Sequence, residues 1–414
     1  MNMTEKKQQQ DHDYSFEKVP QAARKGFWPM LFIMLGFTFF SASMSAGAKL
    51  GNGLDLDNYI AGTLAGGVIL AVYTSVLAYI GSDSGLSFDL LAQHAFGRKG
   101  SYLPSVMIAL TQVGWFGVGA AMFAIPASEL MGIPPLILII IAGACMTASA
   151  YFGIKGLEIV SYVSVPLISI LGIYSMYTAV VQGGGLRNVF GISSGSLTIF
   201  TAISIVVGSF VSGGTCIPNF ARFAKSNKIA VITVAIAFFI GNNLMFAFGA
   251  VGGAFTGKDD IFYVMIAQGL AIPAIIVLGA NVWTTNDNAL YSGAMSMSNI
   301  TKIRKRPLVV VAGIIGTVLS VWLYNNFVTW LGMLNSVLPP IGAIIILDYF
   351  RNRKAYSVNP EPGIKAGAVA GVILGAIVGI FVDYGISSVN AMVVACVCDV
   401  ALEWVIRMAG KKGK

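Results

Sequence analysis

The 414-residue chain is 56% hydrophobic and only 11% charged, with a mean hydropathy of +0.78. A soluble domain carries about 25% charged residues, so this composition excludes one and points to a chain that lives in lipid. The net charge of +8 would suit a nucleic-acid partner, but the cations are distributed as membrane topology demands, which excludes that reading.

Residues 1–20 are polar, rich in Gln, Asp and Lys, and lack an apolar h-region. They read as a disordered cytoplasmic tail with no cleavable signal peptide. Beyond them, apolar runs of roughly 18 or more residues recur along the chain. The runs fall at about 28–50, 58–81, 102–129, 134–153, 158–181, 198–221, 229–253, 272–298, 307–322, 326–348, 366–384 and 388–408. This predicts an all-α integral membrane protein of about twelve helices, because a barrel would show ~10-residue alternating segments instead. Segments 87–96 and 259–271 alternate polar and apolar residues at helical spacing and predict interfacial helices. With both termini in the cytoplasm, only Lys49, Arg187 and Lys258 of the 26 Lys/Arg fall outside. That bias satisfies the positive-inside rule and supports the span count.

Two runs are interrupted in the same way. Leu35–Ala46 (LGFTFFSASMSA) and Val207–Cys216 (VGSFVSGGTC) carry glycine and hydroxyl residues where lipid asks for apolar ones. The offset from Gly36 to Gly208 nearly equals that from Trp115 to Trp283. Paired breaks in corresponding places mark transporters built from inverted repeats, with the binding site at the breaks. The predicted organisation is a tail (1–26), a first five-helix repeat (27–182), a second, inverted one (183–350), and two extra C-terminal helices with a tail (351–414).

The eighth run carries Asn281, Trp283, Thr284, Thr285, Asn286, Asp287 and Asn288 near its middle. So many polar groups at bilayer depth must face a cavity or other helices. Asn281, Thr284 and Thr285 sit at i, i+3 and i+4 on one face. With carbonyls freed near Gly36 and Phe39, they make a five-oxygen cage for an alkali cation between the first and eighth runs. The competing reading is interhelical hydrogen bonding by Ser and Thr. Asp287 points away from that face; it either pairs within the bundle, caps freed backbone groups or carries a coupling proton. Asp399 and Glu403, in the last run, read as structural or oligomer contacts.

In the third run Gln112 and Trp115 share a stripe with Gly119. An amide beside a large flat ring suits a planar hydrogen-bonding ligand, although a packed Trp beside a satisfied Gln fits the same spacing. Phe210, between Ser209 and Ser212, would close the opposite face, and Phe40 is placed to gate it. Elsewhere chemistry is sparse. Cys145, Cys216, Cys396 and Cys398 lie in apolar runs without metal spacing, and His12 and His94 stand alone. No activated nucleophile, metal cluster or nucleotide loop is present, so the chain reads as no enzyme, driven by ion gradients rather than ATP.

Several stretches carry a resemblance: PQAARKG, MLGFTFFSASM, TQVGWFGVGAAMFAIP, VGSFVSGGT, NVWTTNDNALY and LYNNFV. From about Pro20 to Arg353 the chain resembles the nucleobase–cation symporter family, in its bacterial cytosine-transporting branch. The resemblance implies a leucine-transporter-like fold and cytosine uptake coupled to sodium across the bacterial inner membrane, by alternating access. It implies that Trp115 and Phe210 sandwich the pyrimidine, with Gln112, Asn286 and the Ser209–Ser212 segment bonding its edge and Phe40 shaping the pocket. It implies a sodium ion held by Thr284, Thr285 and the carbonyls of Asn281, Gly36 and Phe39. The residues by themselves reach the breaks and the cation face; cytosine comes from the resemblance. A proton-coupled symporter using Asp287, and a symporter of uracil, a purine, allantoin or a hydantoin, are the rival readings.

Overall fold

The computed structural model describes residues 14–152, 154–191, 193–382 and 384–412. His12 and the rest of residues 1–13 lie outside the described residues. The first run is split into α1 (Phe27–Thr38) and α2 (Ser41–Gly53), bent by 52°. α3 (Leu56–Ser84), the short α4 (Phe88–Phe96), α5 (Tyr102–Met131), α6 (Pro135–Ala150) and α7 (Ile154–Gln182) follow. After α8 (Leu186–Phe190) come α9 (Ile199–Thr215) and α10 (Pro218–Ala221). The seventh run is α11 (Asn227–Ala235), a π-helical stretch Ile236–Gly241 and α12 (Asn242–Thr256). Then come α13 (Ile261–Ala267), α14 (Ala271–Thr301), α15 (Lys305–Asn325), α16 (Phe327–Val337) and α17 (Pro339–Asn352). The last two runs are α18 (Ala366–Phe381) and α19 (Ser387–Lys412).

Every predicted run is helical, and the described residues hold no strand beyond an isolated Lys25–Ala224 bridge. Among them, seven helices are long and apolar enough to cross a membrane, or eight with the bent α1–α2 pair. α6, α9 and α18 are shorter apolar helices, and α14 is long but polar in its middle.

The helices pack through small residues. A Cβ on Gly249 would lie 1.7 Å from Met44 O, and one on Gly51 would lie 2.1 Å from Ala250 O. Glycine at these positions lets the backbones of α2 and α12 touch, the small-xxx-small packing of membrane helices. α5 packs against both α14 and α15, and α3 against α9.

Three expectations change in the structure. Val207–Gly214 stays helical, and α9 ends only at Thr215. The Ser209 and Thr215 hydroxyls donate back to Val206 O and Val211 O, each at 2.8 Å, so these polar groups are satisfied within the helix and the break falls only after Thr215. Pro218, which has no N–H to offer the preceding turn, sits where the chain starts again as α10. Residues 14–25 are an ordered, docked segment rather than free tail: Val19 N–H donates to Gly85 O at 3.0 Å and Arg222 Nη1 to Tyr14 O at 2.8 Å. Helices α4 and α13 exist where predicted but are built into the protein, burying Phe88, Leu91 and Phe96, and Ile261, Phe262 and Met265. Asp399 and Glu403 do pair internally, with Arg351 of α17.

Candidate functional site

The break between α1 and α2 is built from Phe39 (ψ 92°) and Phe40 (φ −134°, ψ 130°), both extended. The last helical bond of α1 runs from Phe39 N–H to Leu35 O at 2.7 Å. Asn281 of α14 fills the gap. Its Oδ1 accepts from Ser41 N–H, the first amide of α2, at 2.8 Å, and its Nδ2 donates to Phe39 O. One amide side chain thus satisfies one amide and one carbonyl freed at the break, and ties α14 to it.

Neutral oxygens converge at this point. Asn281 O accepts from Thr284 Oγ1 at 2.7 Å and from Thr285 Oγ1 at 3.4 Å; Thr285 Oγ1 also lies 3.4 Å from Phe39 O. Gly36 is one turn earlier on α1, where a Cβ would lie 2.1 Å from Ser161 Oγ of α7, so only glycine fits. The donor set is hard and uncharged, which fits a monovalent alkali cation. Among the described residues, no three His, Cys, Asp or Glu side chains are grouped to hold a metal ion.

Beside this cluster lies a cavity of about 20 Å³, lined by Phe37, Phe40, Gln112, Trp115, Ser209, Phe210, Ser212, Gly213, Thr285 and Ala289. A space that small takes about one water, so a heterocycle enters only if the walls part. Trp115 is locked by its Nε1–H, which donates to Ser212 Oγ at 2.7 Å. Phe40 meets Trp115 edge-on at 5.7 Å and Phe210 at 6.4 Å, filling the slot between them. Gln112, one of the lining residues, is 1% exposed and its Nε2 is a buried donor without a hydrogen-bond partner.

The structure brings together Gln112, Trp115, Ser209, Phe210, Ser212 and Phe40, and sets Phe39, Asn281, Thr284 and Thr285 beside them. Asn286, expected at the substrate's edge, does not line the cavity. Its Nδ2 donates to Phe116 O at 3.1 Å and lies 3.2 Å from Met146 Sδ, because its place on α14 faces α5 and α6. Gly119 makes room for it: a Cβ there would lie 2.3 Å from Asn286 Oδ1. Asp287 faces α6, accepting from Ser149 Oγ at 2.6 Å, while Ser149 Oγ accepts from Trp283 Nε1 at 2.6 Å. It pairs within the bundle, away from the oxygen cluster. Sequence reasoning missed the Asn281 side chain, for which only the carbonyl was expected. It also missed Phe37 and Ala289; Phe37 lies within the same GFTFF stretch, so the break itself was the available signal.

Outside the cavity lining, α10 is tied to α14 and α4. Phe220 packs on Tyr291 at 5.5 Å, and Asn219 Oδ1 accepts from Phe88 N–H at 2.9 Å. Asp89 is buried on α4 and accepts from Ser105 Oγ at 2.6 Å and Ser296 Oγ at 3.1 Å. Burial pushes its carboxyl up to about 6 despite these bonds and the Arg222 charge.

Comparison with known proteins agrees with this geometry. Residues 18–361 match the family described as permease for cytosine/purines, uracil, thiamine and allantoin. The cytosine permease of Escherichia coli (strain K12) is 50% identical over 348 residues, covering 84% of this chain and 83% of that protein. MHP1, a nucleobase-cation-symport-1 family transporter solved in a closed conformation with bromovinylhydantoin bound, superposes with a TM-score of 0.82 at 21% identity. That superposition covers 95% of this chain and 96% of MHP1. A Na⁺-coupled sialic acid symporter in a substrate-bound outward-open state gives a TM-score of 0.71 at 17% identity, over 95% of this chain and 92% of its own. The relatives are permeases rather than enzymes, the fold is theirs, and the chain belongs to the family of permeases for cytosine and purines, uracil, thiamine and allantoin.

Proposed function

We propose that this permease imports cytosine together with sodium, by alternating access, through the inner membrane of a bacterium with both termini in the cytoplasm. The observation that carries the coupling is Thr285. It lines the cavity and, through its hydroxyl, reaches Phe39 O and Asn281 O in the oxygen cluster. Sodium among these oxygens would fix the α1–α2 break against α14, and with it Phe40 and the wall that receives the base. Coupling of about 1–3 kcal/mol corresponds to about 5–150-fold in affinity, and substrate must tighten sodium equally. Cytosine is favoured by the 50% identity to the E. coli cytosine permease and by an uncharged pocket with a free amide donor on Gln112.

The two five-helix repeats, 27–182 and 183–350, with two further helices in 351–414, are supported by the packing. The α1–α7 contact has its counterpart five runs later in α9–α16, α2–α12 in α10–α3, and α6–α14 in α15–α5. In this reading the bundle (α1–α3 and α9–α12) rocks against a scaffold of α5, α6, α14 and α15. Release on the inside is driven by low sodium and by the membrane potential, about 2.3 kcal/mol per charge per 100 mV.

The test is calorimetric binding of cytosine to the purified protein in sodium and in potassium. Tight binding confined to sodium supports the symporter. Equal binding in both salts removes sodium coupling and turns attention to Asp287. Binding of uracil or a hydantoin in place of cytosine keeps the family and replaces the substrate.

A further inference from the structure

A second cavity, of about 1250 Å³, opens on the proposed cytoplasmic side, far larger than the transport pocket. Its walls are the N-terminal segment at 16–18, the end of α3, α4, the α4–α5 connection at Arg98, Lys302 just past α14, Tyr349 of α17 and segment 353–360. Lys18, Arg98, Lys302, Arg353 and Lys354 face it, against the acids Glu17 and Asp83. Asp83 is already engaged: it accepts from Asn227 Nδ2 at 2.9 Å, from Arg353 Nη2 at 2.8 Å and from the Tyr349 hydroxyl. No ion pair joins Lys18, Arg98 or Lys354 to an acid among the described residues.

Arg98 and Lys302 are the informative pair. Lys302 ends α14 in left-handed backbone (φ +59°), a conformation that side chains other than Gly and Asn rarely take. Its ammonium is turned back over the helix end, donating to Asn299 O and, at 3.2 Å, to Asn299 Oδ1. Burial lowers the Lys302 ammonium, and the charge of Arg98 lowers it further, so the two cations repel across the cavity wall. The positive-inside rule puts cations on this side of the membrane, but does not gather them on one concave wall. Five cations line this partly dry hollow against two acids, and Asp83 is taken up by other partners, which places them for an anion with several acceptor oxygens.

We infer that this hollow is a binding site for a phosphate-bearing anion, held by Arg98 and Lys302 with Lys18 and Lys354 at its rim. The phosphate can come from a soluble compound or from a lipid headgroup. The N-terminal segment and α3 form one side of the hollow, and α4 and α14 the other. On the alternating-access reading, on which this consequence alone rests, an occupant would hold the cytoplasmic side shut and slow uptake.

The experiment uses the full chain in phosphatidylcholine nanodiscs, titrated with inorganic pyrophosphate by calorimetry at low salt. A second arm compares melting temperatures in discs with and without phosphatidylglycerol. The variants are Arg98→Gln/Lys302→Gln, the milder Lys354→Gln, and Lys225→Gln as a same-side control outside the cavity. A cooperative thermal melt and a single size-exclusion peak verify that each variant is folded, and Lys354→Gln carries the test if the double variant is not. Pyrophosphate binding is expected to weaken at least about tenfold in the double variant, since the loss of even one of its two charge-assisted contacts suffices for that, and to be unchanged in the control. A silent pyrophosphate arm, with phosphatidylglycerol stabilising the wild type but not the double variant, supports the site with a lipid headgroup as its source. If neither probe separates the wild type from the double variant, or the control loses as much, the site is overturned. Pyrophosphate and lipid binding are read without transport, so failure of the symport reading stays distinguishable.

Discussion

Thr285→Val tests the coupling at its narrowest point. Valine keeps the branched shape and removes Oγ1, the atom by which this cavity-lining residue reaches the oxygen cluster. The folding cost is small, about 1 kcal/mol or less, because both hydrogen bonds it loses are 3.4 Å long. The cost to sodium is larger. A contact to a charged group is worth about 1.5–3 kcal/mol, or about tenfold to 150-fold in affinity. Cytosine isotherms are therefore measured at graded sodium, with choline holding ionic strength constant. The sodium concentration giving half-maximal cytosine affinity should rise by at least about tenfold, with cytosine affinity largely restored at saturating sodium. Thr285→Ser, which keeps the oxygen, should leave that midpoint in place. A wild-type midpoint in a folded, cytosine-binding Thr285→Val protein would refute the assignment of this oxygen to the cation.

Two further predictions concern stability. Gly249→Ala puts a methyl group 1.7 Å from Met44 O, a backbone atom that moves only if α2 and α12 separate. Overpacking of this kind costs about 1–3 kcal/mol, so the melting temperature should fall, and an unchanged melt would show that the helices slide freely. Asp89 gives a pH signature. Its folded carboxyl titrates at about 6, above the unfolded value of about 3.9, so the native state holds the extra proton between them. Its contribution therefore favours folding as pH falls from about 6 to about 4, and is lost as pH rises through about 6. His94, lowered to about 4 by burial, works the other way, gaining stability as pH rises toward 6.5. Asp89→Asn isolates the first effect, because His94 is common to both proteins. Relative to wild type, the variant should gain up to about 3 kcal/mol between pH 4 and pH 8, and a flat difference in thermal melts would contradict the buried-carboxyl account.

The sequence is most legible where lipid forces the answer. A hydrocarbon solvent leaves backbone groups no partner but their own helix, so apolar length alone marks each span. Polar residues at that depth stand out for the same reason: the α14 run from Asn281 to Asn288, and the glycine–serine stretch of the first span, were visible as breaches of composition. The second stretch is equally conspicuous, but its break falls only at its end, where α9 stops at Thr215 and α10 restarts at Pro218. Ser209 and Thr215 can return their hydroxyls to the helix's own carbonyls, and the spacing of letters cannot show whether they do.

The sequence alone determined that the chain is a helical membrane protein of about twelve spans with an interrupted first span, and that its polar residues lie on α5, α9 and α14. Those properties are local, written in hydropathy and in residues that helices tolerate poorly. Only the tertiary structure decided which polar side chains share a site. Asn286 and Asp287 follow Thr285 directly along α14, yet helical rotation turns Asn286 to Phe116 and Met146 and Asp287 to Ser149, away from the oxygen cluster. The tertiary structure also decided that the Asn281 side chain bridges the break, that Phe40 closes the slot beside Trp115, and that five cations from four distant places in the chain converge on one hollow. Each of these depends on how helices far apart in the chain are packed against one another, and no local pattern of residues encodes that.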